Sequence, residues 1–170
     1  MITITSSRFS NLTWAKNAEY RKRFNCCIYG SPQEMTPKIL YDSLVFVVEM
    51  NNDTNQIEGV GLIRNRPFLD KYYSVYEEGN YNRYVYKSNY HIPREKLIEY
   101  NRELVDSLDY ILFKEKSHLK RGTGFITVPE KLLNHPKCNK MNMTNELRKI
   151  FICVFGGDVL ETGPLSIITK

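Results

Sequence analysis

The segment from Arg64 to Arg94 interleaves flat rings with positive charges. Tyr72, Tyr73, Tyr76, Tyr81, Tyr84, Tyr86 and Tyr90 alternate there with Arg64, Arg66, Lys71, Arg83, Lys87 and Arg94. A tyrosine offers a face for stacking and a hydroxyl tip, while a guanidinium forks onto phosphate oxygens. Together these residue types suit a nucleic-acid strand better than a small metabolite. Aromatics also favour strands, so some of these rings must serve as core. Seven tyrosines in so short a stretch exceed what core filling needs. Trp14 is the one tryptophan; it is expected either to pack in part or to wall a pocket that stacks an unpaired base.

A second place could meet anions. The loop Lys114–Arg121 (KEKSHLKR) sets four cations against one carboxylate and runs into Gly122-Thr123-Gly124. Glycines let an anion approach backbone N–H groups, and neighbouring cations neutralise it. A helix C-terminus would also attract such charge. On the phosphate-contact reading, Arg64, Arg66, Arg83, Lys87, Lys116, Lys120 and Arg121 hold the strand's backbone. Trp14, Tyr72, Tyr73, Tyr76, Tyr81 and Tyr84 then stack its bases.

Catalytic patterns are poorly represented. His135 and Cys138 (HPKC) form half of a zinc motif, and Cys26, Cys27, Cys153, His91 and His118 supply no matching half at a zinc-like spacing. Buried thiols and surface imidazoles are the expectation. Glu49, Asp53 and Glu58 flank one hairpin and could hold magnesium, as a nuclease requires, although solvated hairpin charge is the simpler account. The chain has no G-x-S-x-G, H-E-x-x-H or Walker sequence. Binding is therefore expected rather than catalysis, with no catalytic residue, metal or cofactor.

The 170 residues suit a single domain with a real core, and the net charge of +5 favours acidic partners without requiring them. The start, MITITSSRF, lacks the pattern of a secretory signal, and adjacent Cys26 and Cys27 cannot easily pair. Reduced thiols in an intracellular protein are expected. The apolar run Ile150–Phe155 is far shorter than the ~20 residues that cross a bilayer, so no membrane partner is expected.

Several elements must position these residues. Residues 2–5 alternate as an edge strand. A helix capped by Ser10 or Asn11 runs to Phe24, with Lys16, Arg21, Lys22 and Arg23 on its wet side or in its last turn. Cys26–Tyr29 reads as a short strand before the Gly30-Ser31-Pro32 turn. LVFVVEM (44–50) reads as a strand buried on both faces, paired as a hairpin with IEGVGLI (57–63). Gly59 and Gly61 share one face of the second strand, implying close approach of another group or a sharp bend. Residues 84–92 look extended. A long helix follows from Pro93 to Phe113, its leucines at three- and four-residue steps. A strand GFITV, a short helix at Leu132–Leu133 and a final helix capped by Thr144 complete the chain.

The residues LVFVVEM, the NNDTNQ turn and the I-x-G-V-G strand together resemble the PUA-like superfamily, in particular its EVE and YTH branches. The resemblance implies a small bent β-barrel flanked by helices, with a pocket beside it that takes an RNA base or a modified DNA base between aromatic rings. The EVE helix signature is not found, and the YTH cage tryptophans have no counterpart beyond Trp14, so no pocket residue transfers. The later stretch, NRYVYKSNYHI through HLKRGTGFITVP, is similar to uncharacterised proteins of large eukaryotic DNA viruses, which implies host cytoplasm or nucleus, or the virion, as its location. The expected fold is α+β: a bent, mostly antiparallel sheet or barrel with two or three helices. The expected function is binding of DNA or RNA as a reader of an unpaired or modified base. The alternative is a non-catalytic interaction protein whose tyrosine-rich loops recruit host or viral proteins. The apolar LSIIT near the C-terminus could make a homodimer seam or pack inside.

Overall fold

A computed structural model describes residues 2–116 and 119–161. His118 and the LSIIT segment lie outside the described residues. Strand β3 (Leu44–Asn51) is buried at every position. Leu44, Phe46, Val48 and Met50 enter one core while Val45 and Val47 enter another. A strand that is apolar on both sides belongs in the middle of a covered sheet. Around it lie β1 (Thr3–Phe9), β4 (Gln56–Arg64), β6 (Tyr90–Pro93) and the two-residue β7 (Ile126–Thr127), in the order β6-β4-β3-β1-β7.

The β3–β4 hairpin forms where the sequence places it, with Val47 opposite Gly61 and Glu49 opposite Gly59. Between Ile57 and Gly59 the register slips, so Glu58 is the extra residue of a bulge. Two expectations change. Of residues 2–5, Thr3 to Thr5 begin a seven-residue inner strand that runs parallel to β3, Thr3 facing Val45 and Phe9 facing Asn51. The expected GFITV strand pairs only at Ile126 and Thr127, against Ser6 and Thr5.

Helices α2 (Arg94–Phe113) and α4 (Met143–Phe155) cover one face of the sheet, with the single turn α3 (Glu130–Leu133) between them in sequence. The ring of Phe151 meets Phe46 with centroids 5.2 Å apart. The long helix is broken, for Asn101 leaves helical geometry (φ −159°, ψ 91°). Its Oδ1 accepts from the Leu104 N–H at 3.1 Å, restarting the helix as a cap would. Asn142 rather than Thr144 caps α4, accepting from the Asn145 N–H.

The opposite face is covered by helix α1 (Asn11–Phe24) and by an antiparallel pair, β2 (Cys27–Ser31) with β5 (Tyr84–Ser88). The extended stretch 84–92 is thus divided between two sheets at Asn89, and the Ser88 hydroxyl donates across to the Leu62 carbonyl at 2.5 Å. Ser10 and Thr13 form a reciprocal capping box at the start of α1, and Asp53 accepts from the Asn11 N–H at 2.7 Å. The described strands form two sheets, and no closed barrel forms among them. The fold is α+β. Among the described residues no helix is long and apolar enough to cross a membrane.

Gly61 explains the glycine strand. A Cβ there would overlap the Tyr29 hydroxyl, which β2 presses onto this face of the sheet. The close approach is that of a side chain.

Candidate nucleic-acid interface

Where β1 runs into α1, a hollow of about 460 Å³ opens, within the size range of small-ligand sites. Arg8, Phe9 and Ser10 form one wall, and Thr13 and Lys16 of α1 another. Gly30 of β2, the rings of Tyr76 and Tyr81, and Gly122-Thr123-Gly124 close it. Gly30 is required for this shape, because a Cβ would collide with the Tyr81 carbonyl.

One buried side chain holds the tyrosine loop in place. Asn82 Oδ1 accepts from the N–H groups of Val75 and Tyr76 at 3.1 and 2.9 Å. Its Nδ2 donates to the Tyr76 carbonyl at 2.7 Å and to the Tyr72 hydroxyl at 3.2 Å. Tyr76 is buried, and its hydroxyl accepts from Asn17 Nδ2 at 3.0 Å. Burial pushes its pKa up, helped by the Glu49 charge, so the phenol stays neutral.

Four charged residues line the hollow, Arg8 and Lys16 against Glu77 and Glu78, and of the two cations Arg8 has no carboxylate partner. Its Nε donates to the Gly122 carbonyl at 3.2 Å, Nη1 to the Leu119 carbonyl and the Ser6 hydroxyl, and Nη2 to the Gly124 carbonyl. All these partners are neutral, and among the described residues no carboxylate pairs with it. Burial lowers its pKa to about 10, which leaves it charged at neutral pH. A half-buried cation held only by carbonyls and a hydroxyl, beside a loop with two glycines, favours an incoming anion.

Beside this hollow, on the same side of the sheet, runs a buried polar seam. The Tyr29 hydroxyl donates to Glu49 Oε2 at 2.8 Å, and His91 Nε2 lies 2.8 Å from Glu49 Oε1. Arg21 Nη1 is 3.1 Å from both ring nitrogens of His91, so it sits over the imidazole rather than in line with either lone pair. The Arg21 guanidinium also covers Trp14 at 4.4 Å. Burial, then the Glu49 charge, raises the Tyr29 pKa well above its ordinary value.

The residues singled out in the sequence separate into groups. Tyr76 and Tyr81 line the first hollow. Tyr72 and Tyr73 line two neighbouring hollows, one of which includes Arg83. Trp14 packs edge-on against Phe9 at 5.2 Å, within the seam. Arg64 is only 9% exposed and donates to the carbonyls of Asp42 and Glu161. Arg66 pairs with Asp42 at 3.6 Å. Lys87 lies 4.6 Å from the Tyr73 ring centre, and Arg83 covers Tyr84 at 5.5 Å. Lys116 and Arg121 are exposed, and the Lys120 carbonyl accepts from Asn52 Nδ2 at 2.8 Å. None of these three cations lines the first hollow, although the glycines after them do.

The three carboxylates of the hairpin have separate surroundings. Glu49 is sealed in the seam, Glu58 sits at the bulge and Asp53 caps α1. His135 pairs with Glu115 at 2.9 Å, while the Cys138 thiol is buried. No group of three or more His, Cys, Asp or Glu side chains comes together among the described residues. Sequence reasoning missed Arg8, Lys16, Gly30 and Asn82. The only available signal for Arg8 was the polar run Ser6-Ser7-Arg8 ending a strand.

No protein-family model, curated protein or solved structure matches this chain.

Proposed function

We propose that this protein binds unpaired DNA or RNA, taking one base into the hollow between Gly30, Tyr76, Tyr81 and Gly122–Gly124. The observation that carries the reading is Arg8, a cation on the wall whose partners among the described residues are all neutral. A phosphate would supply the missing charge, and Tyr81 and Tyr76 would supply ring contact. A base enclosed by aromatic rings beside a bent sheet is also what the likeness to the PUA-like superfamily implies. On this reading the protein is an intracellular binder rather than an enzyme.

Fluorescence anisotropy with labelled single-stranded hexanucleotides of DNA and RNA at low ionic strength tests this. Arg8→Gln should weaken binding about tenfold or more, the equivalent of one charge-assisted hydrogen bond. No binding by either oligonucleotide overturns the reading.

Exposed Leu40, Tyr41, Leu69 and Tyr72 favour a second reading, a protein-binding surface. The first two side chains sit on the loop that Arg66 ties to the following connection through Asp42.

A further inference from the structure

A second hollow, of about 430 Å³, adjoins the first, and the two share Lys16, Tyr76 and Glu77 as lining residues. Among the described residues Lys16 is the one cation lining both. The second hollow is framed by Tyr20, Arg23 and Phe24 of α1 on one side and by Lys71, Tyr72 and Tyr73 on the other. Phe24 and Tyr72 are both exposed, with Tyr20 packed on Phe24 at 4.4 Å and the Arg23 guanidinium 5.1 Å over the Phe24 ring. At the junction, Lys16 Nζ lies 3.7 Å from Glu77 Oε1, and Glu77 is 79% exposed. An ion pair so open to water is weak and exchanges readily for another anion.

We propose that Lys16 takes the phosphate joining two consecutive nucleotides of a single strand, releasing Glu77, while the second base stacks between Phe24 and Tyr72. This deepens the base-pocket reading and rests on it. Two adjoining hollows with a cation at their shared border suit a strand rather than an isolated nucleotide. Two adjacent bases held in hollows cannot remain paired in a duplex. Arg23 and Lys71 also line the second hollow and would be available to the next phosphate. Glu77 thus acts as a resident competitor, occupying Lys16 until a strand arrives.

The experiment compares the four free nucleosides, a mixed-sequence single-stranded hexanucleotide and the same hexanucleotide as a duplex. Nucleoside binding is read by amide shifts at Gly30 and strand binding by anisotropy. Glu77→Gln should tighten the hexanucleotide about threefold, as expected for removing one exposed competing charge. Lys16→Gln should weaken it by a similar factor and make the salt dependence shallower by about 0.7 in log–log slope, the loss of one single-strand phosphate contact. Phe24→Ala should weaken it about tenfold by removing a stacking face. Phe24→Ala, at a residue that lines only the second hollow, should leave nucleoside binding unchanged, and the duplex should bind worse than the single strand. Lys16, Phe24 and Glu77 all reach solvent, so thermal unfolding of each variant checks that the fold persists. The proposal falls if nucleosides shift Gly30 yet the hexanucleotide is unaffected by Lys16→Gln and Glu77→Gln. If neither nucleosides nor strands bind, the base-pocket reading itself falls.

Discussion

Glu49 Oε1 and His91 Nε2 lie 2.8 Å apart on the face of the sheet that also carries Gly59 and Gly61. The carboxylate is fully buried, and its other oxygen accepts from Tyr29. A buried charge survives only when its lone pairs are met and an opposite charge is near, and Arg21, over the same imidazole, supplies that charge.

Removing the carboxylate therefore strands its partners. Glu49→Leu should cost about 3 kcal/mol in urea unfolding, the scale of breaking a buried ionic contact. Glu49→Gln, which can still accept from Tyr29, should cost about half as much. Equal stability of both variants with the parent protein would show that the seam contributes nothing.

Gly61 and Tyr29 should be coupled. Gly61→Ala places a methyl on the Tyr29 hydroxyl and should destabilise by about 1 to 3 kcal/mol through overpacking. Tyr29→Phe also destabilises, by leaving Glu49 short of a donor. In the double variant the worst overlap, with the hydroxyl, is gone while the ring carbon Cζ stays 2.9 Å from the added methyl, so its loss should fall short of the sum by about 0.5 kcal/mol. An additive pair contradicts the close approach.

Alkaline pH should unfold this protein in a defined window. Burial raises the Cys27 thiol to about 12 from an ordinary 9.0, and burial also raises the phenols of Tyr29, Tyr76 and Tyr86. These groups are neutral in both states below about pH 8, one unit under the ordinary thiol value. Above it the unfolded chain loses their protons first, and each pH unit further favours unfolding. The contribution of these groups should be level below about pH 8 and fall beyond it, and Cys27→Ala should flatten the earliest part of that fall. Urea midpoints measured from pH 7.5 to 10.5 check the sign, and a midpoint that rises with pH contradicts it.

Much of the scaffold could be read from residue patterns, because burial writes itself into periodicity. LVFVVEM announced a strand covered on both sides, and Ser10 announced the start of α1. Parallel pairing of β1 with β3 left no such mark, since the alternation in TITSSRF fits either direction. The break at Asn101 hid within an otherwise regular leucine pattern, because an internal cap needs only one side-chain oxygen. Tyr76 and Tyr81 were legible as ring chemistry, yet the tyrosine-rich segment gave no way to tell them from sealed Tyr86. Arg8 was obscure for a different reason: its partners are carbonyls more than a hundred residues away in the chain. Trp14 and Arg64 carried the right chemistry but were consumed by packing and by carbonyls.

The most direct test is an NMR titration with a single-stranded hexanucleotide at low ionic strength, followed by amide shifts along the chain. Binding should perturb Arg8, Gly30, Tyr76, Tyr81 and Gly122–Gly124 together, and Asn82→Ala, which unpins the loop without touching the hollow, should weaken it. Shifts confined to the α2–α4 face, or none at all, would contradict a base held beside Arg8.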